Sequence, residues 1–194
     1  MKKRMKKSGF TLVELLVTVG IIAILAAILL PVVTKVFTVA EKNKAHLQAL
    51  EIKKSVDAFY AAYNRPPIDF ATFSNASTKD TTEAQAFSVS ENERIIKALI
   101  GNDDTESRQI NPRGTVFLAI KAEVDCPGGG DIEDGRFFDP WCNQYGIMLD
   151  KDGDGKITYE GKTRITRCIA ISMGPNGVAN DNSNKDDNIT SEDT

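Results

Sequence analysis

The hydrophobic residues of this chain are concentrated in one segment near its amino terminus. Residues 10–34 read FTLVELLVTVGIIAILAAILLPVVT and hold a single charged side chain, Glu14. A helix of this length, at about 1.5 Å per residue, crosses the roughly 30 Å apolar core of a bilayer. A secretory signal has a shorter apolar core followed by an A-x-A-like cleavage site, and neither feature is present. The pattern therefore predicts a membrane-spanning helix.

The helical pattern continues beyond this run but becomes amphipathic. Charged residues enter from Lys35 onward. Apolar residues then recur at spacings of three and four on one helix face: Ala45, Ala49, Ile52, Val56, Phe59 and Tyr63. Pro66 and Pro67 follow, and proline cannot donate the backbone hydrogen bond that a helix needs. We predict one helix from Phe10 to Tyr63.

Residues 64–194 have the short apolar segments and polar loops of a small globular domain. A capping box at Ser90 to Glu93 predicts a helix that ends at Gly101. Strands are predicted at residues 145–149 and 164–172, paired as an antiparallel hairpin. Residues 115–120 suit either a strand or a buried apolar turn.

Charge is distributed as unevenly as hydrophobicity. Five of the first seven residues are basic: Lys2, Lys3, Arg4, Lys6 and Lys7. They mark the cytoplasmic side of the predicted span, because positive charge remains on that side of a membrane. The rest of the chain holds 19 basic and 27 acidic residues, and such an acidic body argues against nucleic acid as a partner. One His and three Cys without a CxxC pair argue against a zinc site.

Two residues argue that the span is more than an anchor. Gly9 places a small residue before the apolar run, and Glu14 places a carboxylate inside it, which costs roughly 2.5–3.5 kcal/mol. No Lys or Arg within the span is available as its partner. Cleavage after Gly9 would make the amino terminus of Phe10 a cation, which Glu14 of a neighbouring helix could neutralise. We interpret Glu14 as an assembly residue.

The segment KKSGFTLVELLV, residues 6–17, closely resembles the class III signal of type IV pilins and type II secretion pseudopilins. The resemblance implies cleavage after Gly9 by prepilin peptidase, methylation of the Phe10 amine, and a helix-registering role for Glu14. It also implies a pilin-like α+β fold, in which the long N-terminal helix packs on a small antiparallel sheet with long loops. The expected parts are a leader at 1–9, a transmembrane assembly half of the helix at 10–34, a periplasmic half at 35–63, and a globular domain at 64–194.

Two later segments resemble signatures of the major, G-type pseudopilin. Residues 139–145 read DPWCNQY and residues 172–177 read SMGPNG, where those proteins typically have D-P-W-G-N-P-Y and S-x-G-x-D-G. Their following loop ends in paired acids and isoleucine and binds calcium, and residues 186–189 here read DDNI. Carried over residue by residue, the resemblance implies a calcium ligand set of Asn176, Asp181, Asp186 and Asp187. Cys142 and Gln144 depart from the pattern, as does Asn176, which replaces the usual Asp.

A second acidic loop separates the two predicted strands. In DKDGDGKI, residues 150–157, the D-x-D-x-D-G spacing lets Asp150, Asp152 and Asp154 converge on one cation, as in an EF-hand. The closing acid is missing, because Gly161 stands at its position and Glu160 comes one residue early, so a polar turn explains the loop equally well. We expect calcium to stabilise the fold, with the later loop contributing more.

Three cysteines in an oxidising compartment predict one disulfide and one remaining thiol. A hairpin centred near Gly155 would bring Cys142 opposite Cys168, and Cys126 with Cys142 is the other pairing that suits the sequence.

The sequence and the resemblance together favour a structural subunit over an enzyme. The expected function is polymerisation into the periplasmic pseudopilus of a type II secretion system, with the chain itself, minor pseudopilins and an inner-membrane assembly platform as partners. The alternative is a type IV pilin that forms surface fibres for adhesion, motility or DNA uptake.

Two other classes of protein are disfavoured. The sequence has no Ser-His-Asp set, His pair or phosphate loop for a membrane-anchored enzyme. A calcium-sensing receptor with a plain anchor would not need Glu14. The expected location is the bacterial inner membrane, crossed once, with the C-terminal domain in the periplasm.

Processing after Gly9 is the first testable prediction. A small residue at this position lets a membrane peptidase approach the backbone, and the basic leader holds the site at the cytoplasmic face. Intact-mass measurement of the membrane-bound protein should show the loss of residues 1–9 and the addition of one methyl group. An assembled form that still carries its leader would contradict the prediction.

Overall fold

The computed structural model describes residues 10–69, 80–119, 126, 132–178 and 187–192. The helices are α1 (Leu12–Tyr63), α2 (Glu83–Ala86), α3 (Val89–Ile100) and α4 (Thr105–Ile110), with a 3-10 turn at Ile132–Asp134. The strands are β1 (Gly146–Leu149), β2 (Ile157–Tyr159), β3 (Lys162–Arg164), β4 (Cys168–Ser172) and β5 (Ile189–Thr190). The chain divides into two compact units after Ala40. A long N-terminal helix followed by a small antiparallel sheet confirms the predicted pilin-like α+β class.

The first unit contains the apolar part of α1. Within the described residues this is the one helix that is long and apolar enough to cross a membrane. Its large apolar side chains are exposed along the whole segment, from Leu12 to Val39. Such a surface is compatible with single-pass membrane anchoring, because an apolar helix of this length is stable in lipid. The predicted division at residue 34, which depends on the membrane boundary, remains a prediction.

The second unit is built around the amphipathic part of α1. Five residues of the predicted stripe are fully buried: Ala45, Ala49, Ile52, Val56 and Phe59. From Ala49 onward they join one core cluster with Ile95, Ile96 and Leu99 of α3 and with Ile147 and Leu149 of β1. The helix ends at Tyr63 as predicted, and Asn64 after it takes a left-handed φ of 53°.

The buried guanidinium of Arg65 fixes the chain that follows α1. It donates hydrogen bonds to the carbonyl oxygens of Pro66, Ile68 and Ile110. These bonds satisfy two carbonyl groups of the segment after α1 and one at the C-terminal end of α4, which joins the segment to that helix.

The sheet has the order β1-β4-β5, and both of its strand pairs are antiparallel. Gly146 pairs with Ile171 and Leu149 with Cys168, so β1 lies where it was predicted, with its start one residue later. The predicted partner strand 164–172 is wrong in its first part. Arg164 belongs instead to a separate two-stranded hairpin, β2-β3, whose turn residues Glu160 and Gly161 both have positive φ. Two successive left-handed residues suit the twist of a tight hairpin.

Two other local predictions need correction. Helix α3 begins at Val89 rather than after Ser90, because buried Asn92 is held by the carbonyl oxygens of Ala86 and Tyr145 and fixes the preceding turn within the helix. Its predicted end at Gly101, with φ of 74°, is confirmed. The described residues 115–119 form neither a strand nor a buried apolar turn, because Leu118 is buried whereas Thr115, Val116 and Ala119 are exposed. Both Phe117 and Leu118 donate their backbone N–H groups to the Leu99 carbonyl at the end of α3.

Candidate functional site

Glu14 forms the N-terminal cap of α1 together with Thr11. The Thr11 backbone N–H and its hydroxyl each donate to Glu14 Oε2 at 2.9 Å, and the Glu14 N–H donates to Thr11 Oγ1 at 3.2 Å. This reciprocal arrangement is a capping box. The cap gives Glu14 neutral hydrogen-bond donors in its own chain but no Lys or Arg, so pairing with a cation of a neighbouring helix stays a prediction. A carboxylate has further acceptor sites, so the cap leaves capacity for a cation from another chain.

The two processing residues lie just before this cap. Phe10 is the first described residue and is 80 % exposed, whereas Gly9 lies outside the described residues. Exposure of Phe10 is compatible with access of an enzyme to this position.

The two segments that carry the G-type resemblance contact each other. Buried Asp139 accepts hydrogen bonds from the N–H groups of Trp141 and Asn143 at 3.0 and 2.8 Å. Its other oxygen accepts the Ser172 hydroxyl at 2.6 Å. Asn143 Nδ2 donates to the Gly174 carbonyl at 2.7 Å. Four residues of the two segments therefore form one structural unit, although 31 positions separate Asn143 from Gly174.

Burial and hydrogen bonding have opposite effects on the pKa of the Asp139 carboxyl. Burial raises the pKa of the Asp139 carboxyl, and the hydrogen bonds from Ser172, Asn143 and Trp141 oppose that rise. The carboxyl therefore serves as a buried acceptor for three donors on two loops. In the sequence, Asp139 is distinguished only by its place in a segment that resembles a family signature.

Cys142 lies in the same turn and forms a disulfide with Cys126. Its φ of 67° lies in the left-handed region, where glycine is favoured, and glycine is the residue at this place in the resembling pattern. Cys168 is a buried free thiol. The alternative Cys142–Cys168 pairing fails because the register of β1 and β4 places Cys168 opposite Leu149, at the far end of the hairpin from residue 142.

The later acid loop is partly described. Asn176 Oδ1 accepts the Val178 N–H at 2.8 Å, while Asp181 and Asp186 lie outside the described residues. Asp187 Oδ1 is buried and has no hydrogen-bond partner within the described part of the chain. Gly174 packs closely against the Asp187 backbone, since a Cβ at Gly174 would lie 2.3 Å from the Asp187 carbonyl oxygen. An unpaired buried carboxylate oxygen is suited to a cation.

The earlier acid loop gains a residue that the sequence analysis missed. Carboxylate oxygens of Asp80, Asp150 and Asp152 all lie within 4.8 Å of one another. This is about twice the length of a Ca²⁺–oxygen bond, so a single cation between them could reach all three. Asp154 is instead used in a local turn, where its Oδ1 accepts the Lys156 N–H at 2.8 Å.

Asp80 reaches this cluster because the chain beside it follows the edge of β1. The Thr81 N–H donates to the Leu149 carbonyl at 3.1 Å, and the Leu149 N–H donates to Thr81 Oγ1 at 3.1 Å. Asp150 comes directly after Leu149, so the two acids become neighbours. No spacing rule links positions 80 and 150, and only the tertiary pairing of Thr81 with β1 reveals the third carboxylate.

The cluster is electrostatically unfavourable without a cation. Burial, and then the charge of Asp152, raise the pKa of Asp80. Burial also raises the pKa of Asp150, although the N–H groups of Gly153 and Gly155 donate to its carboxylate and oppose the rise. Oxygen-only ligands and mutual repulsion fit a hard divalent cation such as calcium.

Comparison with known proteins identifies one shared segment. The family model of the prokaryotic N-terminal methylation motif matches residues 4–30, which include Gly9, Phe10 and Glu14. No curated protein and no solved structure matches the chain. The motif supports a type IV pilin-like protein, the group that contains both pilins and pseudopilins, and it implies processing by prepilin peptidase and assembly into a filament.

Removing one charge from the acid cluster should stabilise the metal-free protein. Because the folded state raises the pKa values of Asp80 and Asp150, it binds more protons than the unfolded state above about pH 4, and the free energy of unfolding falls as the pH rises. Asp152→Asn removes a repelling charge, while its amide oxygen can still accept the Asp154 N–H. In chelator at pH 7 we expect a gain of up to about 1 kcal/mol, since Asp152 is exposed and screened.

Chemical denaturation of the full-length protein in detergent, between pH 4 and 7, measures this effect. The dependence on pH should be shallower in the Asp152→Asn variant. Asp154→Asn is the matched control, with a smaller expected effect because Asp154 lies outside the cluster. A variant at position 152 that is less stable than the wild type in chelator would show that repulsion does not dominate this loop.

Proposed function

We propose that this protein is a structural subunit of the periplasmic pseudopilus of a type II secretion system. It polymerises through its N-terminal helix and helps to extrude folded proteins; it has no catalytic role. The observation that carries the proposal is the methylation motif at the start of an exposed apolar helix, with Glu14 at the helix terminus. Its partners are further copies of the chain, minor pseudopilins and the inner-membrane assembly platform.

Glu14 acts in this proposal through charge pairing between subunits. After cleavage, the methylated amine of Phe10 is a cation close to the membrane interface, and the carboxylate of a neighbouring subunit neutralises it. The pairing sets the axial position of one helix against the next, because a displaced helix would leave both charges unpaired in an apolar environment. The capping box orients Glu14 and leaves acceptor capacity for that amine.

The choice of pseudopilus over surface pilus is supported by the unit formed by the two G-type segments. Direct hydrogen bonds join Asp139 to Ser172 and Asn143 to Gly174, so one polar contact and one polar–glycine contact link the two segments. The type IV pilin that forms surface fibres remains the second candidate, because the N-terminal motif is common to both groups. In either case the C-terminal domain lies outside the inner membrane, on its periplasmic face, before assembly.

Substitutions of Glu14 test the pairing and separate it from capping. Glu14→Ala removes both the charge and the cap, whereas Glu14→Gln keeps an oxygen that can accept the Thr11 hydrogen bonds and removes only the charge. We expect both variants to insert in the membrane and to form filaments at least about tenfold less than wild type, since an unpaired terminal cation in lipid costs more than 1.4 kcal/mol. Shear fractions and electron microscopy measure filament yield. Normal assembly of Glu14→Gln would limit Glu14 to a capping role.

The same variants distinguish the two candidate systems when each is the sole copy in the cell. For a pseudopilus, loss of assembly should leave folded export substrates in the periplasm and deplete them from the culture medium. Thr18→Val is a matched control, because Thr18 donates only to carbonyl groups within its own helix. Loss of surface fibres with undiminished secretion would favour the type IV pilin.

Calcium is the second part of the proposal. Asp187 Oδ1 in the later loop, which has no hydrogen-bond partner among the residues that the structure describes, is suited to it, and so are the carboxylates of Asp80, Asp150 and Asp152 in the earlier loop. When bound, calcium would neutralise clustered carboxylates and so favour the folded over the unfolded state. Extracellular-type sites bind calcium at roughly 10⁻⁴–10⁻³ M, which sets the concentration range of the test.

Millimolar calcium should therefore raise the melting temperature of the full-length protein in detergent, relative to chelator. We expect Asp187→Ala to abolish most of the shift, because that loop also resembles a calcium site, and Asp152→Ala to reduce it less. Asp103→Ala, an exposed acid that pairs with Arg108 away from both loops, is the control. A shift that survives Asp187→Ala and disappears with Asp80→Ala would assign calcium to the earlier loop. Identical melting curves in calcium and chelator would contradict both sites.

A further inference from the structure

The disulfide holds a residue in a conformation that the residue does not favour. Cys142 has φ of 67°, and left-handed backbone disfavours a side chain other than glycine by a factor of about 5 to 30. Its sulfur is bonded to Cys126, 16 positions earlier in the chain. Cys142 is partly exposed, so a soluble thiol can approach it. The covalent bond to buried Cys126 therefore offsets the energetic cost of the left-handed backbone conformation at Cys142, a cost that glycine would not have.

The turn that contains Cys142 is fastened to the loop 172–177. Asn143, the next residue, donates to the Gly174 carbonyl at 2.7 Å. The Ser172 hydroxyl joins Asp139 to the Gly174 N–H, at 2.6 and 3.1 Å. Gly177 lies against the Asn143 side chain, since a Cβ at Gly177 would be 2.8 Å from Asn143 Oδ1. The two contacts of Asn143 come from the residue directly after Cys142, so they depend on the path of the backbone through residue 142.

The loop in turn contacts the chain that leads into β5. Gly174 packs against the Asp187 carbonyl, with room for no side chain between them. Two residues later β5 begins, and Ile189 pairs with Ser172 of β4. The contacts thus run from the disulfide through Asn143 and Gly174 to the last strand of the sheet.

We infer that the Cys126–Cys142 disulfide is a redox-controlled latch for the loop 172–177 and for strand β5. When the bond forms, two thiols lose two protons and two electrons to a disulfide oxidant, such as oxidised glutathione or a protein disulfide donor, which is reduced to two thiols. The new S–S bond holds residue 142 in the left-handed conformation and keeps Asn143 against Gly174. Reduction by a dithiol reverses the electron transfer and removes the covalent bond that offsets the left-handed conformation of residue 142. The turn is then held only by its hydrogen bonds within the described residues, such as that from the Cys142 N–H to the Asp139 carbonyl at 3.0 Å, and residue 142 leaves the left-handed region more often.

The latch differs from a simple covalent staple in one measurable respect. A staple stabilises every part of the fold by restricting the unfolded chain. A latch acts locally and can be replaced by a residue that favours the same backbone conformation, so glycine at position 142 should hold the loop without any disulfide. The inference depends on the observed pairing and contacts, and it stands independently of the proposed filament and calcium functions.

Hydrogen exchange of the full-length protein in detergent tests the latch. Four samples are compared: oxidised wild type, wild type reduced with a phosphine, reduced Cys126→Ser, and reduced Cys126→Ser/Cys142→Gly. In the second and third samples we expect the amides of residues 174, 176–178 and 189–191 to exchange about 5 to 30 times faster than in the first. Amides of β1 and of the second half of α1 should be unchanged, which shows that the domain remains folded. The double variant should retain the slow exchange of the oxidised protein.

Two results would overturn the inference. Slow exchange at residues 174 and 176–178 in reduced wild type and in Cys126→Ser would show that the loop does not depend on the disulfide. Fast exchange in the Cys126→Ser/Cys142→Gly protein, equal to that of Cys126→Ser, would show that the left-handed residue is not the link. If the single variant at position 126 does not fold, reduced wild type and the double variant still give the decisive comparison.

Discussion

The globular unit depends on the burial of one face of α1 against the sheet. Ala45 and Ala49 are fully buried on that face, and their small side chains let neighbouring elements approach the helix backbone. The Tyr145 hydroxyl uses this access to bond the Ala45 carbonyl at 3.2 Å and Gln48 at 2.9 Å. His46 Nδ1 lies 3.0 Å from the Thr190 carbonyl of β5. The residue that leads into β1 and the last strand, β5, are therefore both held against one turn of the helix.

Elements with a strong hydrophobic period were predictable from the sequence. The stripe from Ala45 to Phe59 and the end of α1 at Tyr63 followed from spacing and from two prolines, and the structure has both. Predictions failed where a tertiary contact decided between similar local patterns. Residues 164–172 alternate as one strand, but the turn at Glu160 and Gly161 pairs Arg164 with Ile157 instead of β1. The start of α3 likewise follows a buried Asn92 rather than the capping pattern at Ser90.

In the candidate sites too, residues close in sequence could be predicted, whereas residues brought together by tertiary contacts could not. The spacing of the earlier acid loop pointed to Asp150 and Asp152, and the later loop was proposed from its resemblance to a family signature. Asp80 was missed because it reaches Asp150 through the pairing of Thr81 with β1. The disulfide remained open for a related reason. A hairpin centred near Gly155 favours Cys142 with Cys168, and the actual register shifts Cys168 to the opposite end of β1. A change in register moves a whole set of neighbours, and short strands do little to fix it in advance.

Glu14 provides the strongest link from physical chemistry to function, because the fold alone does not require a charge there. A glutamine at the third helical position could also complete a capping box with Thr11. A carboxylate inside an apolar run costs roughly 2.5–3.5 kcal/mol on insertion, which the cap does not need. A charged partner supplied by another subunit would recover that cost, and cleavage at the leader creates such a partner at the amino terminus. In the proposed filament, the energetic disadvantage of Glu14 in a single chain would become a favourable interaction between subunits, which is the reason for interpreting it as an assembly residue.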